Sequence, residues 1–356
     1  MRRRPKTTQR NEPMKTSKKP TITEVATLAD VSVGTVSHVL NGNINVSAPL
    51  RARVEGAMRM LGYEHNMLAH AQRRQRSPVV GLSVPHVGSA YLAALIDSFE
   101  DIAAGRGYQV MQVLTRRDPG VELRRVRELL RHRVSGLLLV PTLDPRETLE
   151  LVHASGTPAV LVDRPGEDNR FDEVTFDNAR VMGEAVKRLI GVGHRRMLFL
   201  VESKRLGISR LRIAAMQQQS ALARPPVETI VLEVLEDPVA HTGQLTGLLQ
   251  GGAIPTAVIV SNSVLAARTL RVLQRLGDAY PSRISLLAFE EPDWAELTSP
   301  QLSVIRQPVR DIAREAWGLL LRRMSGETFL VQHVQLPAEV EFRGSVQRPS
   351  RLRKRA

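Results

Sequence analysis

"TITEVATLADVSVGTVSHVLNG", residues 21–42, sets two short helical patterns on either side of a tight turn. Thr21 followed three residues later by Glu24 is a capping box, in which each side chain satisfies a backbone N–H that a helix start leaves free. A helix is predicted through Val25, Ala26, Leu28 and Ala29, ending at Asp30, a residue type that tolerates the left-handed backbone of a sharp turn. Ser32 is placed to cap a second helix, which Asn41-Gly42 ends. A third helix starts near Ser47, accepts Pro49 in its first turn, and carries Val54, Ala57, Met58 and Leu61 on one face. Three such helices, the first two joined by a tight turn, describe a helix-turn-helix module. The second helix carries Val31, Val36, Val39 and Leu40 as its core face. Its other face is short-chained, where a solvated helix normally carries Lys and Glu.

Beyond this module lies "EHNMLAHAQRRQRSP", residues 64–78. Residues 66–76 make at most two or three helical turns, a length that is marginal alone and orders against a partner. From Val79 the pattern changes. The apolar runs "VVGLSV", "YQVMQVL", "GLLLVP", "PAVLVD", "RMLFLV", "ETIVLEVL", "AVIVSN" and "ISLLAF" recur with helical segments between most of them. Runs that are apolar throughout predict strands buried on both faces, hence parallel sheets flanked by helices. Leu92, Leu95, Ile96, Phe99, Ile102 and Ala103 form one stripe of such a flanking helix. Eight strands are too many for one sheet with one switch point. Two doubly wound lobes of about four or five strands each are expected, with ligands beyond the carboxyl ends of the strands, in the cleft between the lobes.

Composition narrows the function. The 356 residues contain no cysteine, which excludes a disulfide framework, a thiolate metal site and a thiol nucleophile. No apolar stretch approaches the ~18 residues of a membrane span, and the basic start lacks the apolar segment of a signal peptide, so a cytoplasmic protein is expected. The net charge of +14 is concentrated at the ends: residues 1–20 and 347–356 together carry twelve of the fourteen excess charges. The body between them is nearly neutral. Such tails are solvated, and a basic arm adds salt-sensitive attraction to phosphate. No phosphate-binding loop, dinucleotide fingerprint, nucleophile elbow or zinc-protease helix is present, and the nine histidines do not cluster. No enzyme, cofactor or metal is expected. His132 reads as a solvated helix residue and His194 as a turn residue.

In order and spacing, "TITEVATLADVSVGTVSHVLNG…VSAPLRARVEGAMRMLGYEHNMLA" resembles the DNA-binding head and hinge of the lactose-repressor family of bacterial transcription regulators. The fragments "GLSVP", "VSGLLLVP", "VLVDRP", "TFDN", "GVGHRRMLFL" and "TSPQLSVIRQP" resemble that family's core, which is related to periplasmic sugar-binding proteins. The resemblance runs from about Thr21 to Gly344. It implies an all-α helix-turn-helix head plus an α/β core of two doubly wound parallel-sheet lobes. The expected boundaries are a basic tail over 1–20, the head over 21–65, a hinge over 66–77, the core over 78–345 and a second tail over 346–356. It further implies a repressor-type regulator, a homodimer on a pseudo-palindromic duplex operator, controlled by a small polar effector such as a sugar or sugar acid.

By this resemblance Thr21, Ser32, Val33, Gly34, Thr35, Ser37, His38, Asn41 and Ser47 face DNA. Short hydroxyl and amide groups suit phosphate oxygens and Val33 suits a thymine methyl; the alternative for the hydroxyls is plain solvation. The family commonly has Arg where His38 stands, and a base-reading side chain where Gly34 has none. Readout there is either lost to shape or replaced by close approach of the backbone. In the hinge, Asn66, Leu68, Ala69, Gln72 and Arg73 carry the match. Gln72 stands where many relatives wedge a Leu into the minor groove, so a weaker kink is expected. Leu68 and Ala69 are expected to pack the paired hinges.

The resemblance places Tyr91, Asp163, Arg212, Asn262 and Glu290 around the effector. Carboxylates accept hydroxyl protons, Arg donates a fork, Asn does both, and Tyr91 can stack on a ring. The competing reading makes Arg212 a surface ion-pair partner and leaves Asp163 with Arg164 to stitch a turn. Here the family's "ND" is Asn262-Ser263, and its paired Asp after a late strand is "AFEE". These departures leave open a pocket turned away from the ancestral ligand class. The rival function, a free-standing sugar-binding or sugar-modifying protein, lacks a head such as residues 21–76. The terminal "VQRPSRLRKRA" has no heptad, so a dimer rather than a zipper-joined tetramer is expected.

Overall fold

The computed structural model describes residues 20–40, 46–63, 77–166, 169–234, 238–250, 254–275, 277 and 280–350. The chain divides into two compact units, Met1–Arg74 and Gln75–Ala356.

The first unit contains helices α1 (Ile22–Leu28), α2 (Val33–Leu40) and α3 (Ala48–Leu61). The capping box forms as the sequence requires: the Thr21 N–H donates to Glu24 Oε2 at 2.6 Å and the Glu24 N–H to Thr21 Oγ1 at 3.3 Å. Asp30 takes φ 50° in the turn, and Ser32 Oγ accepts the Thr35 N–H at 3.0 Å to start α2. A contact not foreseen fixes this turn. Arg53 of α3 donates to the carbonyls of Ala29 and Asp30 at 2.7 and 3.0 Å and to the Asp30 carboxylate at 3.1 Å. Val25, Ala26, Ala29, Val36, Val39, Val54 and Ala57 form the small core, with Val31, Met58, Leu61 and Tyr63 packed against it.

The second unit is two lobes, each built on a six-stranded sheet. In chain order the strands are β1 (Val79–Val84), β2 (Gln109–Leu114), β3 (Gly136–Leu139), β4 (Ala159–Val162), β5 (Asp172–Phe176), β6 (Arg196–Val201), β7 (Glu228–Glu233), β8 (Ala257–Val260), β9 (Ser285–Phe289), β10 (Ser303–Arg306), β11 (His333–Leu336) and β12 (Glu339–Glu341). Lobe 1 has the order β11-β5-β4-β3-β1-β2 and lobe 2 the order β12-β10-β9-β8-β6-β7. Every pairing is parallel except β10 with β12. Six strands per lobe correct the expectation of four or five. The additional ones are β5, β10, β11 and β12. They escape the apolar-run criterion because they are short or carry charge. In β5, "DEVTF", Asp172 accepts two bonds from Arg323 at 2.8 and 2.9 Å and one from the Gln332 N–H at 2.8 Å, so a buried carboxylate is satisfied inside a sheet.

The flanking helices that matter below are α4 (Ala90–Ala104), α5 (Pro119–Arg131), α6 (Arg146–Ser155), α7 (Asn178–Val192), α8 (Gly207–Leu222), α9 (Pro238–Gln250), α10 (Ser263–Arg275) and α11 (Val309–Met324). The stripe on α4 is buried as expected, with Leu95, Phe99 and Ala103 fully so. Helix α11 follows a lobe 2 strand yet packs on α4, β3, β4 and β5 of lobe 1. The chain thus passes between the lobes three times: after β5, after β10, and between β11 and β12.

Residues 346–350, assigned in sequence to the tail, are a second correction. The Gln347 N–H donates to Ser285 Oγ at 2.9 Å and the Ser350 N–H to the Ser282 carbonyl at 3.0 Å, and Val346 packs on the core. Backbone pairing, which composition does not report, holds them. His194 is a turn residue as read, but it is fully buried with Nδ1 3.0 Å from Thr256 Oγ1.

Two glycines mark where helices press on the lobe 1 sheet. A Cβ on Gly81 would lie 2.7 Å from Leu137 Cδ2 and 2.9 Å from Leu129 Cδ1; on Gly136 it would lie 2.8 Å from Leu320 Cδ1 and 2.9 Å from Met324 Sδ. Gly81→Ala and Gly136→Ala are each expected to lower stability by about 1–3 kcal/mol through overpacking. A urea midpoint unchanged in both would contradict that packing.

Candidate functional site

On the helical head, α2 turns Val36 and Val39 inward and leaves Ser32, Val33 and Gly34 exposed, with Thr35 and Ser37 half-buried. Thr21 and Ser47 are exposed at the starts of α1 and α3. Ser47 makes no side-chain cap bond. Gly34 is not required by the head itself: a Cβ there would meet only Ser32 Oγ, at 3.5 Å. Whatever needs its smallness lies outside the head. His38 lies on α2. Asn41 and the hinge residues Asn66, Leu68, Ala69, Gln72 and Arg73 lie outside the described residues.

Within the bilobed unit, the five residues proposed for a ligand come together. Tyr91, Asp163, Arg212, Asn262 and Glu290 all line one cavity between the lobes, along with His86, Arg164, Glu202 and Ser209. The topology explains the convergence. Asp163 directly follows β4, Asn262 comes two residues after β8 and Glu290 directly follows β9, so each sits at the carboxyl end of a strand. Asp163 and Glu290 occupy equivalent places in the two sheets, and both hold left-handed backbone, φ 67° and 73°. Non-glycine residues pay strain for that conformation, and such residues concentrate at functional sites.

Arg212 is the centre of the cluster. It is 2% exposed, its Nε donates to Asn178 Oδ1 at 2.7 Å, and Nη1 donates to the Ser261 carbonyl at 3.2 Å. Its guanidinium lies over the Phe289 ring at 3.7 Å and near Phe176 at 5.6 Å. Burial pulls its pKa down to about 10, opposed by Asp163 and Glu290, so it is charged at neutral pH. Burial raises the Asp163 pKa, against Arg164 and Arg212. Tyr91 is wholly enclosed: its ring joins the buried apolar cluster, and burial together with Asp163 pushes its phenol well above the usual range. Burial and Arg117 push His86 down to about 4, so it is neutral at pH 7.

The two lobes meet directly at this point. Glu290 Oε2 accepts from the Ser263 N–H at 3.0 Å and the Ser263 hydroxyl at 2.6 Å within lobe 2, and from the Tyr91 N–H of α4 at 3.5 Å across the cleft. Ser263 Oγ accepts the Ala90 N–H at 3.0 Å, and Arg117 donates to Glu202 Oε1 at 2.6 Å, both across the cleft. Asn262 Nδ2 donates to the same Glu202 oxygen at 2.7 Å. The space left is about 40 Å³, far below the ~300–1,000 Å³ of a ligand pocket. This is a closed cleft whose polar groups satisfy one another. Glu202, His86, Asn178 and Arg117 were not foreseen; the signal for Glu202 is its place just past β6, "RMLFLVE".

Burial raises the Glu290 pKa to about 7, against its bonds to Ser263. A carboxyl whose folded pKa exceeds its unfolded value of 4.5 destabilises the fold above pH 7 and is relieved as pH falls through the window between the two. Wild type is expected to gain up to ~3 kcal/mol relative to Glu290→Gln between pH 8 and pH 5. Taking the difference cancels the opposite drift of buried His86 and His194. A pH-independent difference in urea stability would rule the shift out.

Among the described residues no group of His, Asp and Glu is arranged to hold a metal ion, and no helix is long and apolar enough to cross a membrane. Residues 21–66 match the model described as "Bacterial regulatory proteins, lacI family", and residues 186–346 match a periplasmic binding protein-like domain. The HTH-type transcriptional regulator PtxS of Pseudomonas putida is 30% identical over 94% of this chain and 98% of its own length. Catabolite control protein A of Priestia megaterium is 28% identical over 91% and 98%. Among solved structures, the lac repressor dimer bound to operator and the anti-inducer ONPF superposes with a TM-score of 0.80, covering 93% of this chain and all of that one at 24% identity.

Proposed function

The chain belongs to the lacI family of bacterial regulatory proteins and is a DNA-binding transcriptional regulator; from that premise we propose that it is an operator-specific repressor acting as a homodimer, released or recruited by a small polar effector. The lac repressor, whose fold it shares, is a dimer on operator. Two heads related by a two-fold axis read two half-sites of a pseudo-palindrome with α2 in the major groove. The exposed edge of α2, with Ser32, Val33, Gly34, Thr35, Ser37 and His38, reads the bases and phosphates, helped by Thr21, Asn41 and Ser47. Residues 66–77 act as the hinge, where Asn66, Leu68, Ala69, Gln72 and Arg73 meet the minor groove. The protein works on bacterial DNA in the cytoplasm, and no residue is assigned a catalytic role.

The observation that carries the effector half is the meeting of Tyr91, Asp163, Arg212, Asn262 and Glu290, from both lobes, on one cavity. Two carboxylates, a forked cation and an amide suit the hydroxyls of a sugar or sugar acid. An effector must replace the direct lobe-to-lobe bonds of the closed cleft, so it shifts the lobe arrangement by its differential affinity for open and closed forms. A tenfold change in operator affinity needs only about 1.4 kcal/mol of that difference. The test is footprinting of the gene's own upstream region with and without a panel of sugars and sugar acids. Protection of an inverted repeat that one of these compounds alters supports the proposal; no protected repeat at moderate salt removes it.

Gly34 gives a sharper check. Since a Cβ fits inside the head, Gly34→Ala is expected to leave the fold intact yet weaken operator binding about tenfold by lifting α2 from the duplex. Unchanged affinity in a gel shift would return Gly34 to the status of a position whose readout is simply lost.

A further inference from the structure

Beside the closed cleft lies a larger cavity, of about 850 Å³, which shares only Arg164 and Leu206 with it. This volume is in the range of metabolite pockets. Three loops wall it, following β3 and β4 of lobe 1 and β6 of lobe 2. Its described lining carries six cations, Arg146, Arg164, Arg170, Lys204, Arg205 and Arg210, against two carboxylates, Asp144 and Glu150.

Both carboxylates are engaged. Arg146 grips Asp144 with bonds of 2.8 and 3.0 Å, and Arg170 grips Glu150 with bonds of 3.2 and 2.8 Å. Lys204 and Arg205 are exposed and form no ion pair among the described residues. Arg164 is the informative member. It is 8% exposed, spends Nη1 on the Pro141 carbonyl at 3.1 Å, and holds Nε 3.8 Å from Asp163 Oδ2, too far for a hydrogen bond. That buried donor has no partner, a costly state for a charged group.

Two helices also begin here. Their N-caps, Pro145 for α6 and Leu206 for α8, supply no side-chain acceptor, and α8 has no acid in its first turn. The positive end of a helix 16 residues long therefore faces the cavity with its first amides uncapped by any side chain. Cations from the two lobes face one another across the mouth, an arrangement that repels itself unless something negative lies between.

We propose that this vestibule is a binding compartment for an anionic metabolite of the phosphate-ester or carboxylate class, distinct from the polar cleft. Arg164, Lys204, Arg205 and the first amides of α8 hold the anionic end, and Leu143, Leu149 and Pro165 give the rest of the molecule an apolar wall. The bound anion bridges loops of both lobes and cancels their mutual repulsion, so it fixes the lobe separation. The proposal rests on the effector-cleft reading only through the shared wall of Arg164 and Leu206.

The test is calorimetric titration of the full-length protein with ribose, ribose 5-phosphate, gluconate and inorganic phosphate at matched ionic strength. At least one sugar-sized anion is expected to bind about tenfold or more tightly than ribose, with inorganic phosphate competing. Ribose 5-phosphate above gluconate selects the phosphate ester, and the reverse order selects the carboxylate. The double variant Lys204→Gln/Arg205→Gln, both on the surface, is expected to lose that advantage while keeping its ligand-free thermal midpoint. Arg164→Gln is expected to lose it as well. No anion outbinding ribose, or an advantage that the double variant retains, overturns the proposal. So does loss in Asn262→Ala alone, which puts the anion in the polar cleft. Footprinting without any anion reports separately on the head and operator.

Discussion

Arg212→Met is expected to lower stability by about 3–5 kcal/mol, the cost of stripping a buried charge cluster of one partner, and to abolish the response of operator affinity to any effector. The side chain is 2% exposed and donates to Asn178 and the Ser261 carbonyl, so its loss orphans two buried acceptors. It also leaves Asp163 and Glu290 buried without the cation that offsets them. Methionine preserves much of the contact with Phe289 and Phe176, so the measured loss reports charge and hydrogen bonding more than volume. Arg212→Lys is not conservative here. A single ammonium cannot donate to Asn178 and Ser261 while lying flat on Phe289. Urea denaturation gives the first quantity and gel shifts with and without effector give the second. An Arg212→Met protein as stable as wild type, or one whose operator affinity still responds, would show that the guanidinium is incidental to the cleft.

The second large effect concerns the head. Removing residues 1–76 is expected to erase discrimination between operator and random duplex, a ratio of roughly 10³ or more for specific regulators. The residues suited to base edges lie on α2 of the first unit, and the second unit is a separate compact body. The shortened protein keeps only weak association with polyanions, steeply lowered by salt. A narrower variant makes the same point, because Val36 is fully buried in a core of few residues. Val36→Asp is expected to unfold the three helices and give the same loss. Operator preference surviving the truncation would place recognition in the lobes and end the reading of α2.

What the sequence disclosed follows from how locally each feature is determined. The capping box, the Asp30 turn and the Ser32 cap depend on residues within four positions of each other, and all three form as read. The eight apolar strands were legible because burial on both faces demands unbroken hydrophobicity. Strand β5 was not, because its charges are satisfied by Arg323 and His333, more than 150 residues away. The same distance hid Glu202 and Arg117, whose partners belong to opposite lobes. One local signal was present and passed over: "VLVDRP" and "LAFEEP" both end a strand with an acid two residues before proline. That repeat marks Asp163 and Glu290 as counterparts in the two sheets, both in left-handed backbone.

The three passages of chain between the lobes carry a mechanical consequence. A single tether would let one rigid body swivel about the other in every direction. Three tethers side by side behave like the pins of a door hinge: they resist shear and torsion and permit one soft rotation, about the line through them. A few tenths of an ångström gained or lost at the far edge of the jaw, where Arg117 reaches Glu202, is thereby geared into a defined angular displacement instead of dissipating as random wobble.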